Sequence, residues 1–226
     1  MSSTDDPRES ALLAFGWAER HASPIVVLTE GASDARILET ALAVTYPHLR
    51  GFIRFADFTQ RPEANAGALA KTVKAFAAAG ITNRIVALFD ADTAARDVAK
   101  SLDLGKLPPS IQVRHLPQIQ IAREYPTIGP SGTVVTEDIN GKACSIELYL
   151  GRDVLTDSDG ALRPVRWTSF INGVGARQGV IEGKGDILAR FWAKAELALR
   201  DQTARASQDW LELRAVIDEV RVAFAR

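Results

Sequence analysis

The apolar residues of this chain are grouped in short continuous runs, and the segments between the runs place apolar residues at helical spacing. Four runs have the length and composition of strands that are buried on both faces, as in a parallel sheet. They span residues 25–28, 51–56, 84–89 and 111–116. The helical segments between them cover about residues 34–44, 68–79 and 92–102. This alternation predicts an α/β fold with a mostly parallel sheet flanked by helices.

Further helices are predicted at both ends of the chain. Asp6, Pro7 and Glu9 match a helix start, with a capping residue, a proline at the first helical position and an acid that can complete a capping box. The C-terminal region predicts a helical pair at about residues 186–200 and 207–224, because apolar residues recur there every three or four positions.

The pattern also predicts how the chain is organised. Residues 1–23 form an N-terminal helix and residues 24–150 an α/β domain, and residues 151–226 complete that domain with a loop-rich segment and the C-terminal helices. Proline and glycine are dense in residues 108–132, which predicts a long irregular connection. Within the loop-rich segment, residues 165–170 predict one strand.

Composition and charge narrow the class of protein. The 226 residues are 46% hydrophobic, which suits one sizeable domain. The 27 basic and 28 acidic residues are nearly balanced, whereas proteins that coat DNA usually carry a basic surplus. Cys144 is the only cysteine, so neither an intrachain disulfide nor a cysteine zinc cluster can form. Without a signal region or an apolar run of about 18 residues, we expect a soluble cytoplasmic protein with no membrane contact.

Acidic residues follow two of the predicted strands at the point where each strand ends. Glu30 comes after the first strand and Asp90 after the third. The carboxyl ends of parallel strands share one edge of the sheet, and ligands bind at that edge. If the two strands are neighbours, Glu30 and Asp90 face each other there. Asp92 can point to the same side, and Asp34 lies one helical turn after Glu30 and can face back toward it.

Four carboxylates at one edge repel each other and raise their own pKa values, and a bound cation removes that repulsion. Mg²⁺ prefers hard oxygen ligands of this kind, and Mn²⁺ accepts the same ligands. The sequence therefore predicts a Mg²⁺ site, with Mn²⁺ as a substitute, that can support phosphodiester chemistry. Two simpler roles stay open: Asp34 could complement a helix N-terminus, and Asp92 could be only the N-cap of the next helix.

These motifs resemble the Toprim family, the domain shared by topoisomerases, bacterial primases, ribonuclease maturases and overcoming-lysogenisation-defect (OLD) nucleases. The resemblance covers about residues 25–150. Its two halves, each following an apolar strand, are Glu30-Gly31-Ala32-Ser33-Asp34 and Asp90-Ala91-Asp92. The resemblance implies a Toprim-like catalytic domain over residues 24–150 and a metal-dependent enzyme that acts on nucleic acid.

A third segment is similar to OLD-type nucleases, which add a Ser-x-Glu motif and then a lysine. Ser145-Ile146-Glu147 matches the first, and Lys184 before a predicted helix is the candidate for the second. The resemblance implies that Ser145 and Glu147 join Asp34 in metal binding and that Lys184 steadies the charge of the transition state. The alternatives are a Glu147 that is merely a first-turn helix acid capped by Ser145, and a Lys184 that is a solvated loop residue.

The chain is also similar to bacterial HEPN/Toprim-associated proteins, whose setting suggests defence against phage or mobile DNA. The Arg-x4-His motif of HEPN ribonucleases is missing, because none of His21, His48 and His115 has an arginine five positions before it. The implied partner is a nucleic acid substrate, DNA in preference to RNA. A homodimer or a partner defence protein is the second expectation.

Other candidate motifs are weaker. Gly183-Lys184 resembles part of a phosphate-binding P-loop, but Gln178 stands where the first glycine belongs and Gly185 replaces the Ser or Thr. Cys144 has no neighbouring histidine in the sequence, so we predict that it is a buried structural thiol. The three tyrosines lack the separate domain on which topoisomerases carry their nucleophile. The four tryptophans could stack on bases, although core packing is the simpler role.

The predicted function is therefore a Mg²⁺-dependent Toprim nuclease that hydrolyses phosphodiester bonds. Glu30 serves as general base or metal ligand, and Asp90 and Asp92 hold the metal. Two alternatives remain open from the sequence: a nucleic-acid-binding or regulatory Toprim module without catalysis, and a primase-like nucleotidyltransferase. The absence of a zinc-ribbon region counts against the primase.

Overall fold

The computed structural model describes residues 23–56 and 64–225, and the helix predicted near the N-terminus lies outside them. The strands in chain order are β1 (Ile25–Leu28), β2 (Ile53–Phe55), β3 (Ile85–Phe89), β4 (Ala91–Asp92), β5 (Ile111–His115), β6 (Tyr125–Ile128), β7 (Val134–Glu137), β8 (Ala143–Cys144), β9 (Val165–Ile171) and β10 (Ala176–Ile181). The α-helices are α1 (Ala32–Thr45), α2 (Ala66–Ala78), α3 (Thr93–Ala99), α4 (Arg152–Leu155), α5 (Lys184–Arg200), α6 (Gln202–Ser207) and α7 (Leu211–Val222).

The central sheet has four parallel strands in the order β2-β1-β3-β5, which confirms the predicted α/β fold. β3 lies between two neighbours and all five of its residues are buried, as its unbroken apolar sequence requires. Alternate residues of β3 face opposite sides. Val86 belongs to the apolar core formed with α1, α5 and α7, whereas Ala87 packs with α2 and α3.

A second sheet has the strand order β10-β9-β6-β7, and the sequence pattern predicted two of its strands, β9 and, at residues 133–136, β7. β9 matches the strand predicted at residues 165–170 and pairs with β10 as an antiparallel hairpin. β6 falls inside the predicted irregular connection, because Pro126 argues against a strand. The proline is tolerated because β9 pairs with β6 only at Thr127 and Ile128.

The C-terminal helical pair is present as α5 and α7, with the short helix α6 between them. Asp201 separates α5 from α6, and its side chain accepts hydrogen bonds from the N–H groups of Thr203 and Ala204. Both long helices pack against α1 on one face of the central sheet. Within residues 23–56 and 64–225, no helix combines the length and the apolar character needed to cross a membrane.

Candidate metal centre

β1 and β3 are adjacent parallel strands, so the acids that follow them lie at the same edge of the sheet. The Oε1 atom of Glu30 accepts a hydrogen bond from the backbone N–H of Asp90 at 2.9 Å. Both side chains are partly buried. The structure therefore brings Glu30 and Asp90 together, as the sequence predicted on the condition that their strands are neighbours.

Asp34 lies in the first turn of α1 and closes its N-terminus. Its Oδ2 accepts a hydrogen bond from the Gly31 N–H at 2.9 Å, and its Oδ1 accepts one from the Ser33 hydroxyl at 3.0 Å. The simpler role considered for Asp34, a contribution to the helix N-terminus, is thus present. The same position also keeps the carboxylate close enough to Glu30 and Asp90 to affect their pKa values.

Asp92 is the N-cap of α3 and is held from two directions. Its Oδ1 accepts a hydrogen bond from the Ala95 N–H at 2.7 Å, and its Oδ2 accepts one from the Gln178 Nε2 at 2.8 Å. The Gln178 Oε1 in turn accepts a hydrogen bond from the Ala94 N–H at 2.9 Å. The sequence did not predict this contact of Gln178. There the residue was notable only because it replaces the first glycine of a P-loop.

Glu147 follows strand β8, which pairs with β4. In this pairing Ala143 lies opposite Asp92, and Glu147 comes four residues after Ala143. Its side chain is 1% exposed. The Oε2 atom accepts a hydrogen bond from the Ser145 hydroxyl at 2.6 Å, and Oε1 pairs with the Lys184 ammonium at 2.7 Å. The Ser-x-Glu motif and the lysine, which lie far apart in sequence, therefore meet in the structure.

We call Glu30, Asp34, Asp90, Asp92 and Glu147, together with Lys184, the acidic centre. Burial, assisted by the charges of Asp92 and Asp34 and opposed by the hydrogen bond from the Asp90 N–H, raises the pKa of Glu30 to about 7. Burial also raises the pKa of Asp90 well above its usual range, assisted by the charges of the four other acids. Each acid thus affects the ionisation of Asp90, which makes the centre one electrostatic unit.

Lys184 is the cation of the acidic centre. Burial works to lower the pKa of its ammonium, but the hydrogen bond and charge of Glu147 outweigh burial and leave the pKa raised. The side chain is 54% exposed, so its charge can also face an arriving ligand. Gly183, with a φ of 70°, caps the N-terminus of α5 and places Lys184 at its first residue.

The oxygen donors of the acidic centre suit Mg²⁺, although most already accept protein hydrogen bonds. Within the described ranges, no three carboxylate, imidazole or thiol groups lie in position to share one ion. Mg²⁺ commonly uses only one or two carboxylates and completes its octahedron with water and substrate oxygens. Within those ranges the Asp90 carboxylate has no hydrogen bond or ion pair, so none of the described residues occupies its oxygens. Asp90, with Glu30 or Asp92 beside it, therefore fits that mode of binding.

The other residues considered from the sequence lie outside the acidic centre. Cys144 is buried, and burial raises its pKa to about 12, so the thiol stays neutral at physiological pH. The Tyr149 hydroxyl donates to the Pro117 carbonyl at 2.6 Å, and Tyr46 bonds Asp218 on α7. Trp167 and Trp210 are buried, as the core-packing role predicted.

Replacing Gln178 by methionine is expected to weaken Mn²⁺ binding by about 10- to 100-fold. Mutation of a residue that orients a metal ligand usually has an effect of this size. Methionine has a similar length but cannot donate to Asp92 or accept from Ala94, so the Asp92 carboxylate loses its fixed orientation. Isothermal titration with Mn²⁺ measures the effect, and Gln202→Met on the exposed surface of α6 is the matched control. Equal Mn²⁺ affinity in both variants would show that Gln178 does not position the ligand.

The metal-free protein is expected to lose stability as the pH rises from about 4.5 to about 7. The pKa of Glu30 is 4.5 when it is free and about 7 in the fold, so the folded state binds more protons in this window and its stability falls with rising pH. Glu30→Gln should flatten this part of the profile, whereas Glu39→Gln on the exposed face of α1 should not. Thermal unfolding in EDTA across the pH range measures both slopes, and parallel profiles for both variants would refute the assignment.

No family model, curated protein or solved structure matches this chain. The chemistry of the acidic centre is therefore inferred from its own residues, their contacts and their charges.

Proposed function

We propose that this chain is a Mg²⁺-dependent nuclease of the Toprim type that hydrolyses phosphodiester bonds. The observation that supports this most is the meeting of Glu30 and Asp90 at the ends of two adjacent parallel strands. Asp92 and the Glu147–Lys184 pair join them at the same edge. A cluster of carboxylates with one lysine suits a substrate that carries negative charge and is bound through a divalent cation.

The residues divide into three roles in this proposal. Asp90 and Asp92 hold the cation, and Asp34, Ser145 and Glu147 complete a second position. Bound Mg²⁺ supplies polarisation of the phosphate and a more acidic water. Glu30, which is held at the end of β1 by the Asp90 N–H, is placed beside the cation ligands to accept a proton from the attacking water as a general base. Lys184 faces the negative charge that develops on the phosphate oxygens.

The same observations support one competing function, a Toprim module that binds nucleic acid without cutting it. Its support is that the acids other than Asp90 accept hydrogen bonds from backbone or side-chain groups. Such contacts would hold a vestigial site in place after catalysis was lost. The two functions differ in whether divalent cations bind and whether phosphodiester bonds break, and both quantities can be measured.

The test is a cleavage assay on single- and double-stranded DNA and RNA with Mg²⁺ or Mn²⁺, run beside EDTA. We expect cleavage that EDTA abolishes and that Glu30→Gln lowers strongly, whereas Glu39→Gln cleaves like the unaltered chain. Adding nucleoside triphosphates to a primed template in parallel detects a primase-like activity, which would appear as extension. Metal-independent cleavage, or equal cleavage by both variants, would overturn the proposal.

The proposal also includes the setting of the enzyme. DNA is the preferred substrate over RNA. The biological role is defence against phage or mobile DNA in the cytoplasm. The protein acts there as a homodimer or together with a partner defence protein. These parts rest on the resemblance to OLD-type and HEPN/Toprim-associated proteins rather than on geometry. Comparing cleavage rates on matched DNA and RNA strands tests the substrate.

A further inference from the structure

A cavity of about 320 Å³ is lined by residues that adjoin the acidic centre in the chain, although none of the six residues of that centre lines it. Ala91, which separates Asp90 from Asp92, forms part of its wall, and His115 forms another part. The His115 Nδ1 atom is 2.9 Å from the Asp90 carbonyl oxygen, which fixes the ring against the same segment. A ligand in this cavity would therefore lie against the backbone segment that carries Asp90 and Asp92.

The lining of the cavity combines a cation, amide groups and an apolar surface. Arg96 lies one helical turn after Asp92 on α3, and one of its N–H groups donates to the Gly141 carbonyl at 3.0 Å. A guanidinium has five N–H donors, so several remain for a phosphate. The Asn140 amide is held in place by the backbone of Ile119, with hydrogen bonds of 3.0 and 3.2 Å. Leu116 adds an apolar wall.

We propose that this cavity receives one unpaired nucleotide of the substrate, the nucleotide next to the phosphate that is cut. Arg96 binds the phosphate of that nucleotide, and its base lies against Leu116 within reach of Gln118 at the rim. This inference rests on the proposed nuclease function for the position of the cut. Arginine is suited to the role because its planar fork binds phosphate oxygens in pairs.

The size of the cavity determines which substrates can use it. Ligand sites in proteins range from about 300 to 1,000 Å³, so this cavity is at the small end. Its volume is comparable to that of one nucleotide, and a base that lies in it cannot at the same time be stacked and paired inside a duplex. A base must therefore be unstacked and unpaired before it can enter, which requires a few kcal/mol in a duplex and little in a single strand. Single strands and frayed ends should bind better than blunt duplexes.

The experiment measures binding and cleavage separately. Fluorescence anisotropy of the full chain is recorded in Ca²⁺ with three labelled DNA probes of equal length: a single strand, a blunt duplex and a duplex with an unpaired end. The variants are Arg96→Ala and Arg200→Ala, which both remove one exposed positive charge. Arg200 is a suitable control because it is at the far end of α5, about 24 Å along the helix from Lys184, and pairs only with Glu196 among the described residues.

We expect Arg96→Ala to weaken single-strand binding by about tenfold or more, as for the loss of a charged hydrogen bond, and Arg200→Ala to change it little. Mn²⁺ affinity should be the same in both variants, because Arg96 does not contact the acids. Equal DNA affinity in the two variants, or equal affinity for single strand and blunt duplex, overturns the nucleotide subsite even if the chain cleaves DNA. Absence of cleavage with Arg96-dependent binding retained would instead refute the nuclease proposal alone.

Discussion

Asp90→Asn is expected to lower Mg²⁺-dependent cleavage by about 10²- to 10³-fold without unfolding the protein, as when one electrostatic group is removed from an active site. Asp90 is the acid that all the others affect, and its carboxylate is not engaged by the described residues. Asparagine keeps the shape of the side chain but removes the charge that would bind the cation. Steady-state cleavage rates with Mg²⁺ and with Mn²⁺ measure the loss.

The same substitution should leave the metal-free protein at least as stable as before. Burial and neighbouring charges raise the pKa of Asp90, which means that the ionised form is disfavoured in the fold at neutral pH. A neutral amide removes this repulsion, so the midpoint of thermal unfolding in EDTA should stay constant or rise. In the unaltered chain Mn²⁺ should raise that midpoint, and in Asp90→Asn this rise should be lost.

Asp103→Asn is the matched control for both measurements. Asp103 is exposed and pairs with Lys106 at the surface, at 2.9 Å. A surface pair of this kind contributes little to stability, typically about 0–1 kcal/mol. If Asp90→Asn cuts nucleic acid as fast as Asp103→Asn, the cation is not held by Asp90 and the proposed roles of the acids are wrong.

The sequence carries enough information for the central sheet and for two of the acids in the candidate site. β1 and β3 are continuous apolar runs, so both faces had to be covered, and an acid at the end of each run is visible in the sequence. Whether Glu30 and Asp90 meet depends on strand order, which no local pattern determines. That β1 lies next to β3, with β2 and β5 outside them, follows from packing of the whole sheet.

Contacts between distant parts of the chain are what the sequence pattern could not provide. Gln178 is 86 positions from Asp92, and the two meet only because the hairpin of β9 and β10 packs on α3. Two glycines, Gly173 and Gly175, do signal the turn of this hairpin, and Gly175 takes the left-handed φ of 70° that the four-residue connection requires. The outer positions of β9 and β10 are mostly exposed and polar, so their apolar alternation is weak.

Lys194 is a second residue whose role is invisible in the sequence, where it is an ordinary lysine on a surface helix. In the structure its side chain is 5% exposed. Its ammonium pairs with Asp153 at 2.7 Å, donates to the Leu150 carbonyl at 2.8 Å and also donates to the Asp209 carbonyl. The ammonium lies 4.5 Å from the centre of the Trp210 ring. One cation thus joins α5 to the segments before α4 and before α7.

Gly151 allows this arrangement. Its φ is 102°, and a Cβ atom there would lie 2.3 Å from the Asp209 carbonyl oxygen and 2.5 Å from the Lys194 Nζ. The close approach of these backbone segments leaves the ammonium with three oxygen partners and little contact with water. Burial lowers the pKa of Lys194, and the hydrogen bond and charge of Asp153 oppose that effect.

Lys194→Met is expected to destabilise the protein by about 1–3 kcal/mol, the usual effect of leaving buried acceptors without their donor, because the Asp153 carboxylate is 35% exposed and stays partly solvated. Methionine fills much of the same space, so the loss comes from the Asp153 carboxylate and the Leu150 and Asp209 carbonyls, which lose their common donor. For a chain of this length the midpoint of thermal unfolding should fall by roughly 2–12 °C. Differential scanning calorimetry in EDTA measures the fall.

Lys74→Met is the control, because Lys74 is exposed on α2 and its one contact in the described part of the chain is a long hydrogen bond to Ser101, at 3.4 Å. Its midpoint should change little. Lys194 and Lys184 share helix α5, so a folded Lys194→Met variant should also bind Mn²⁺ more weakly if that helix positions Lys184 and its Glu147 partner. Equal unfolding midpoints for the two variants would mean that the buried ammonium does not stabilise the junction of α5 with the segments before α4 and before α7.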